Sequence, residues 1–480
     1  MTKVLTALLA AGALASPLHA QDKHIAAVEN GLLPAVRIRG QTQRMQLTER
    51  MALYKVPGVS IAVINDGRIE WAKGYGVLDA GGSTPVDAAT LFQAASISKP
   101  LAATAALQLV RSGRLDLTGD VNAWLTSWRV PANGFTAQHP VTLQDILSHT
   151  AGFSVHGFPG YDADSAIPTL TQVLDGIRPA NTDSIRVVDV PGHAFSYSGG
   201  GYTVMQQLLL DVSHRPFPDL MRRTVLEPLG MRRSTYEQPL PARLAGNAAT
   251  AHRSDGRALH GKWHIYPEMA AAGLWTTPSD LARFVLAVQD AAAERTNRLF
   301  TPVMVADMLT PRSGASYGLG LGISGEGQAQ WFGHTGGNEG FRCELVAYTH
   351  RGQGAVVMTN SDNGSQLIRE ILRGIAAEYG WPGYLPPERD LVTVDLKLYD
   401  DYAAVYRMGD GTEITVARDG DALYAHAGSE LRARLWPTSD STFVAEDDGT
   451  ALRFERDASR RVTALVIVQP GRESRWPRIR

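Results

Sequence analysis

The sequence predicts an α+β chain: an antiparallel sheet flanked by helices plus a helical subdomain, followed by a small all-β, barrel-like domain. Three observations carry this expectation. Strand-like runs occur at both ends of the first 380 residues, with helical periodicity between them. A proline-rich stretch, Trp381-Pro382-Gly383-Tyr384-Leu385-Pro386-Pro387, then marks a change of composition. Beyond it, short alternating segments are separated by turn signals, the pattern of a small sandwich or barrel.

The elements follow in chain order. Residues 22–55 read as one amphipathic helix ending near Pro57-Gly58. Val59–Ile64 and Ile69–Gly76 are strand-like, and Asn65-Asp66-Gly67 between them is a strong hairpin turn. Residues 96–112 place apolar side chains on a 3.6 period, with Gly113 as the stop. Residues 142–149 and 203–213 are also helical by pattern, and Pro278–Ala287 opens with a Thr277/Ser279 cap. Gly318–Ile323, Gln330–Gly333, Glu344–Tyr348 and Ala355–Thr359 read as strands, and Leu367–Tyr379 as a closing helix. In the last segment, Glu413–Arg418, Ala422–Ala425, Arg432–Trp436, Thr442–Ala445, Leu452–Arg456 and Val462–Ile467 read as strands. Asp419-Gly420-Asp421 and Asp447-Asp448-Gly449 are turns among them.

Hydrophobic residues make up 44% of the 480 and charged residues 20%, which excludes a mainly disordered chain. The formal net charge is −2, so there is no global field to attract nucleic acid. Cys343 is the only cysteine, which excludes an intramolecular disulfide and a cysteine-cluster zinc site. Lys3 precedes an apolar run, and Ser16-Pro17-Leu18-His19-Ala20 follows it, the layout of a signal peptide cleaved near Ala20. That run is too short to span a bilayer, so the mature protein is expected to be secreted or periplasmic with no integral membrane segment. The expected organisation is a signal peptide over 1–20, a catalytic domain over 21–380, a linker over 381–390 and a β-domain over 391–480.

The chemistry starts at Ser96-Ile97-Ser98-Lys99. A serine hydroxyl is a poor nucleophile at neutral pH and needs a base. Residues three apart on a helix share a face, so Lys99 can reach the Ser96 oxygen. A buried lysine near other cations can lose its proton and serve as that base. A surface lysine on an ordinary helix would show the same spacing, but only seven lysines occur and Lys99 alone has serine three residues before it. The second element is Tyr197-Ser198-Gly199, since a tyrosinate near positive charge can act as general base. The third is His334-Thr335-Gly336-Gly337, where glycines let a backbone N–H approach a substrate oxygen. A glycine-rich turn with a packed tyrosine, and a plain strand-end turn, are the structural alternatives for these two.

With these three in this order, the chain resembles the serine β-lactamase and penicillin-binding-protein superfamily, specifically its class C β-lactamase-like branch. Val56-Pro57-Gly58-Val59-Ser60-Ile61-Ala62-Val63, Ile146-Leu147-Ser148-His149-Thr150-Ala151-Gly152-Phe153, Glu227-Pro228-Leu229-Gly230-Met231 and Ala271-Ala272-Gly273-Leu274-Trp275-Thr276-Thr277-Pro278-Ser279-Asp280-Leu281 strengthen the likeness, which covers about residues 25–380. Residues 391–480 look like the lipocalin-like β-domain often appended to such hydrolases. The resemblance implies Ser96 as acylated nucleophile, Lys99 as proton shuttle and Tyr197 as general base and proton donor. It implies an oxyanion hole from the N–H groups of Ser96 and Gly337, with Ser198, Gly199, His334, Thr335 and Gly336 lining the substrate site. His334 stands where true class C β-lactamases have lysine, as in D,D-peptidases and esterases of the family, and need not be charged at pH 7. The family usually has asparagine at position 199, binding the lysine and the substrate's acyl-amide oxygen; Gly199 can do neither. That departure weighs against β-lactam turnover and favours a different acyl group or an ester.

The expectation is therefore an exported serine hydrolase acting on amide, peptide (D-residues included) or ester substrates, with no metal or organic cofactor implied. A class C-type β-lactamase or D,D-carboxypeptidase is the alternative within the enzymes. A non-catalytic penicillin-binding protein is the alternative outside them. His260, His264 and Glu268 have the spacing of a metal face, but Gly261 and Pro267 argue against a regular helix there. Gly320-Leu321-Gly322-Ile323-Ser324-Gly325 lacks the helix a dinucleotide fingerprint needs. Cys343 reads as a buried structural thiol, and His149 as a hydrogen-bonding residue without a proton-transfer role.

Overall fold

The computed structural model of the chain describes residues 17–41, 43–295, 297–428, 432–469 and 472–479. The apolar run of the expected signal peptide lies outside the described residues, and the first helix, Pro17–Glu29, spans the expected cleavage point.

Six strands form one antiparallel sheet. In spatial order they are Arg68–Gly76, Gly58–Asn65, Gly354–Thr359, Phe341–Tyr348, Trp331–Asn338 and Gly322–Ser324. The first hairpin is the expected one: Asp66 and Gly67 at its turn both have positive φ, 50° and 69°. Distant segments complete the sheet, since the second strand pairs directly with Gly354–Thr359.

Both faces of the sheet are covered, which explains why Gly58–Ile64 is apolar without alternation. Val59, Ile61 and Val63 point to one side, where Leu367, Ile371 and Ile375 of the helix Gly364–Glu378 pack on them. Ala62 and Ile64 point to the other, toward the helices Ser98–Arg111 and Pro278–Ala292. Successive side chains of a strand alternate between faces, so one run feeds two cores. Truncating Ile61 to alanine would cost about 2–5 kcal/mol.

The expected helix over 22–55 is instead two helices, Pro17–Glu29 and Leu47–Leu53, joined by an extended segment. Gly31 and Pro34 interrupt it: the backbone at Gly31 is tight enough that a Cβ would lie 2.4 Å from the carbonyl oxygen of Ala27. The extended piece is used. Arg37–Ile38 pairs in parallel with Glu388–Arg389, and Val36 and Ile38 pack with Val444 of the C-terminal domain. The proline-rich stretch is likewise tied down, with Trp381 buried and Tyr348 donating to the Pro382 carbonyl at 2.7 Å.

The C-terminal domain is an eight-stranded antiparallel meander running from Ala404–Arg407 to Arg472–Pro477. Its ends nearly close, through a bridge between Tyr406 and Arg478 and the bond from Ile479 N–H to the Val405 carbonyl. The helix Leu396–Tyr402 plugs it. Tyr402 stacks on Phe454 at 4.1 Å, and Tyr406, Phe443 and Leu465 fill the remaining interior.

Candidate active site

Ser96 lies in a single 3-10 turn, Ala95–Ile97, directly before the helix Ser98–Arg111. Ala95 has φ of 48°, a left-handed conformation that costs a non-glycine residue roughly 1–3 kcal/mol. The surrounding structure holds it: Ala94 N–H donates to the Leu274 carbonyl at 2.8 Å, and Leu274 N–H donates to Ser98 Oγ at 3.0 Å. Ser96 is half-buried while its neighbours Ala95 and Ile97 are fully buried, so the turn presents only the serine.

Lys99 is 2% exposed. Its Nζ donates to Ser96 Oγ at 3.0 Å and to the Ala271 carbonyl at 2.9 Å. The second contact comes from the short helix Met269–Ala272. A long flexible side chain is thereby fixed at both available acceptors. The same amine lies 4.9 Å from the centre of the Tyr197 ring and 5.8 Å from that of Tyr202.

Tyr197 precedes the helix Gly199–Ser213, whose N-cap is Ser198. Ser198 Oγ accepts from Gly201 N–H at 3.0 Å and donates to the Ser154 carbonyl at 2.9 Å. His149 fixes the tyrosine from the other side. Its carbonyl accepts Ser196 N–H at 2.7 Å, its Nδ1 accepts Ser198 N–H at 3.1 Å, and its ring lies 4.2 Å from that of Tyr197. Burial, then the nearby Lys99 amine, hold the His149 imidazole well below its ordinary range, so it stays neutral. The hydrogen bond anticipated for His149 is present, and the tyrosine is what it serves.

His334, Thr335, Gly336 and Gly337 lie inside the strand Trp331–Asn338, paired with the strand Phe341–Tyr348, rather than in a turn after it. Gly336 is required there: a Cβ would lie 2.3 Å from the Ala94 carbonyl oxygen and 2.4 Å from Cys343 Sγ. The strand thus reaches the Ser96 turn only because position 336 has no side chain. Asn338 ties the parts together, donating to Gln93 Oε1 at 2.7 Å and to the Ala272 carbonyl at 3.1 Å. Cys343 is buried and donates to the Ala94 carbonyl at 3.0 Å, a structural role as expected. Burial raises its thiol far above the reactive range.

His334 Nδ1 donates to the Thr335 carbonyl at 2.6 Å, which leaves Nε2 as a bare acceptor shut off from solvent. Burial and then the Lys99 amine push this imidazole down to about 3, so it is neutral at physiological pH.

The space beside Gly199 is tight. A Cβ there would lie 3.0 Å from Phe158 Cε2 and 3.1 Å from the His156 carbonyl oxygen. The same carbonyl accepts Gly199 N–H at 3.1 Å, and the His156 ring bonds the Tyr197 carbonyl. Segment 154–158 is zipped along 197–200 and crowds the space a side chain at 199 would take.

The structure therefore brings Ser96, Lys99 and Tyr197 together and lays His334–Gly337 alongside. It separates the three residues with metal-like spacing: His264 is committed to the Pro159 carbonyl at 2.8 Å and to Asp162 at 3.0 Å, His260 is exposed beside Asp164, and Glu268 is buried. Among the described residues, no group of three or more His, Cys, Asp or Glu is placed to hold a metal ion. The contributions of Asn338 and Phe158 have no sequence signal, and Ala271 heads a family-like segment without its role being legible there. Two are backbone or packing contacts, and Asn338 lies one residue beyond the motif.

The family model for Beta-lactamase matches residues 45–378, more than half of the chain. The chain belongs to this family. It is 23% identical to penicillin-binding protein 4* of Bacillus subtilis over 445 residues, covering 86% of this chain and 93% of that protein. It is 27% identical to the unguisins hydrolase ungD of Aspergillus violaceofuscus, covering 70% of this chain and 65% of that protein. Among solved structures, the octameric penicillin-binding protein homologue from Pyrococcus abyssi superposes with a TM-score of 0.62 at 22% identity, covering 90% of this chain and 98% of that one. At that identity the likeness shows the fold alone.

Proposed function

We propose that the protein is an exported serine hydrolase that works through a Ser96 acyl-enzyme on amide, peptide or ester substrates. The observation that carries the reading is the Lys99 amine, buried and 3.0 Å from the Ser96 hydroxyl. Ser96 Oγ attacks the substrate carbonyl, and its proton passes through Lys99 toward Tyr197. The tetrahedral oxyanion is held by the N–H groups of Ser96 and Gly337. Tyr197 returns the proton to the leaving amine or alcohol, which departs as the acyl-enzyme forms. Water then attacks the acyl carbon, gives its proton to the same relay, and releases the acid. One difficult displacement becomes two easier ones.

Two features support an ester or unusual acyl substrate over a β-lactam. Gly199 carries no side chain and His334 is held neutral, so neither an amide anchor nor a cation stands in those places. Fold alone does not fix the substrate. Export rests on the N-terminal Lys3 and the apolar run after it.

The test is multiple turnover. Purified protein and its S96A variant are assayed on p-nitrophenyl esters, D-amino acid amides, a D-Ala-D-Ala peptide and a chromogenic cephalosporin. Hydrolysis that requires Ser96 supports the reading. A persistent adduct without turnover would replace it with a penicillin-binding role.

A further inference from the structure

The polar groups beside Tyr197 are either committed or closed to solvent, the Nε2 atoms of His149 and His334 being unpartnered but buried. Ser198 is bonded back to the Ser154 and Val155 carbonyls, at 2.9 and 3.3 Å. His156 is bonded to the Tyr197 carbonyl, and His334 Nδ1 to the Thr335 carbonyl. Gly199 offers no side chain. What lies against it is the edge of the Phe158 ring, which would be 3.0 Å from a Cβ at that position. Phe158 and Tyr197 are both half-buried. Phe195, two residues before Tyr197, is 40% exposed and packs its ring on His149 and Tyr317 at 5.9 and 5.6 Å.

We propose that Phe158, held against Gly199, is the specificity-determining wall of an apolar acyl subsite, so that the enzyme selects acyl groups presenting hydrocarbon rather than a carboxamide. The inference rests on the Ser96 acyl-enzyme reading and names its substrate class. A carboxamide placed against this wall loses its water and meets no exposed polar side chain, since the free Nε2 atoms of His149 and His334 are buried, which costs roughly ten- to hundredfold in kcat/KM. A methylene buried there gains about fourfold.

The decisive pair is p-nitrophenyl pentanoate and the p-nitrophenyl ester of N-acetylglycine. Their acyl chains have the same length and differ by an amide. Wild-type protein is expected to favour the pentanoate by about tenfold or more in kcat/KM. Phe158→Ala is expected to bring that ratio close to unity. The F158A/G199N double variant, in which the ring no longer fills the space of a side chain, is expected to shift it further toward the N-acetylglycine ester. A wild-type ratio near unity, or one that F158A leaves unchanged, would overturn the subsite while leaving the hydrolase reading intact. Absence of any Ser96-dependent turnover would overturn both. Because the readout is a ratio within one variant, partial loss of folded protein does not move it.

Discussion

The ring of His149 lies 4.2 Å from the ring of Tyr197, and its Nδ1 accepts the N–H of Ser198. His149 also has φ of 58°, a left-handed conformation that Asn tolerates better than Ala. Under the proposed mechanism it is a positioning residue for Tyr197. His149→Ala is expected to lower kcat by about 100-fold, the scale of a small misplacement of a reacting group. His149→Asn, which keeps an acceptor and the backbone conformation, is expected to recover part of it. Steady-state kcat and KM for both variants check this, and a wild-type kcat in H149A would contradict it.

His334 gives a prediction in pH. Its folded-state value is pushed down to about 3, against an ordinary value of 6.5. Between those limits the unfolded chain binds a proton that the folded chain does not, so stability rises with pH across this window. The contribution is complete above pH 6.5 and is lost as pH falls toward 3. Thermal midpoints of wild type should therefore drop on acidification, and H334Q should drop less. Equal losses in the two proteins would show that His334 is not the group concerned.

Glu268 works in the opposite sense. Burial raises its carboxyl from 4.5 to about 8. Between those values the folded state keeps a proton that the unfolded state releases, so stability falls as pH rises from 4.5 through 8. Glu268→Gln, which cannot ionise, should raise the thermal midpoint more at pH 8.5 than at pH 5. Equal shifts at the two pH values would contradict the assignment.

The C-terminal barrel is predicted to stabilise the catalytic domain without taking part in its chemistry. Val36 and Ile38 of the N-terminal segment bury against Val444, and Arg37 pairs with Glu388 at 2.8 Å. Every residue placed in the reaction lies between Ser96 and Gly337. Removing residues 388–480 should lower the thermal midpoint and leave kcat near wild type. A kcat lowered tenfold or more in the folded truncation would give the barrel a catalytic role.

The pairing of Ser96 with Lys99 was readable because their spacing is local. Ser96 and Lys99 are one helical turn apart, and a lysine that rare is informative. The hairpin at Asp66-Gly67 was readable because its turn demands positive φ. The strand through His334–Gly337 was not. The strand reads from the sequence as ending at Gly333, with a strand edge or a turn after it, and only pairing with Phe341–Tyr348 and the approach to Ala94 carry it on to Asn338. The role of Ala271 was not legible for a related reason: its contribution is a carbonyl oxygen, and any residue has one. The single helix expected over 22–55 failed because propensity ignored the use of Arg37–Ile38 in pairing with Glu388–Arg389, some 350 residues away.

The most direct test of the central claim is intact-protein mass spectrometry during turnover. Wild-type protein is mixed with excess p-nitrophenyl pentanoate and quenched in acid at successive times, with S96A in parallel. The account predicts a mass increase of one pentanoyl group that peptide mapping places on Ser96, that decays as substrate is exhausted, and that never forms in S96A. Turnover at wild-type rate in S96A, or an acyl group mapped to another residue, would contradict it.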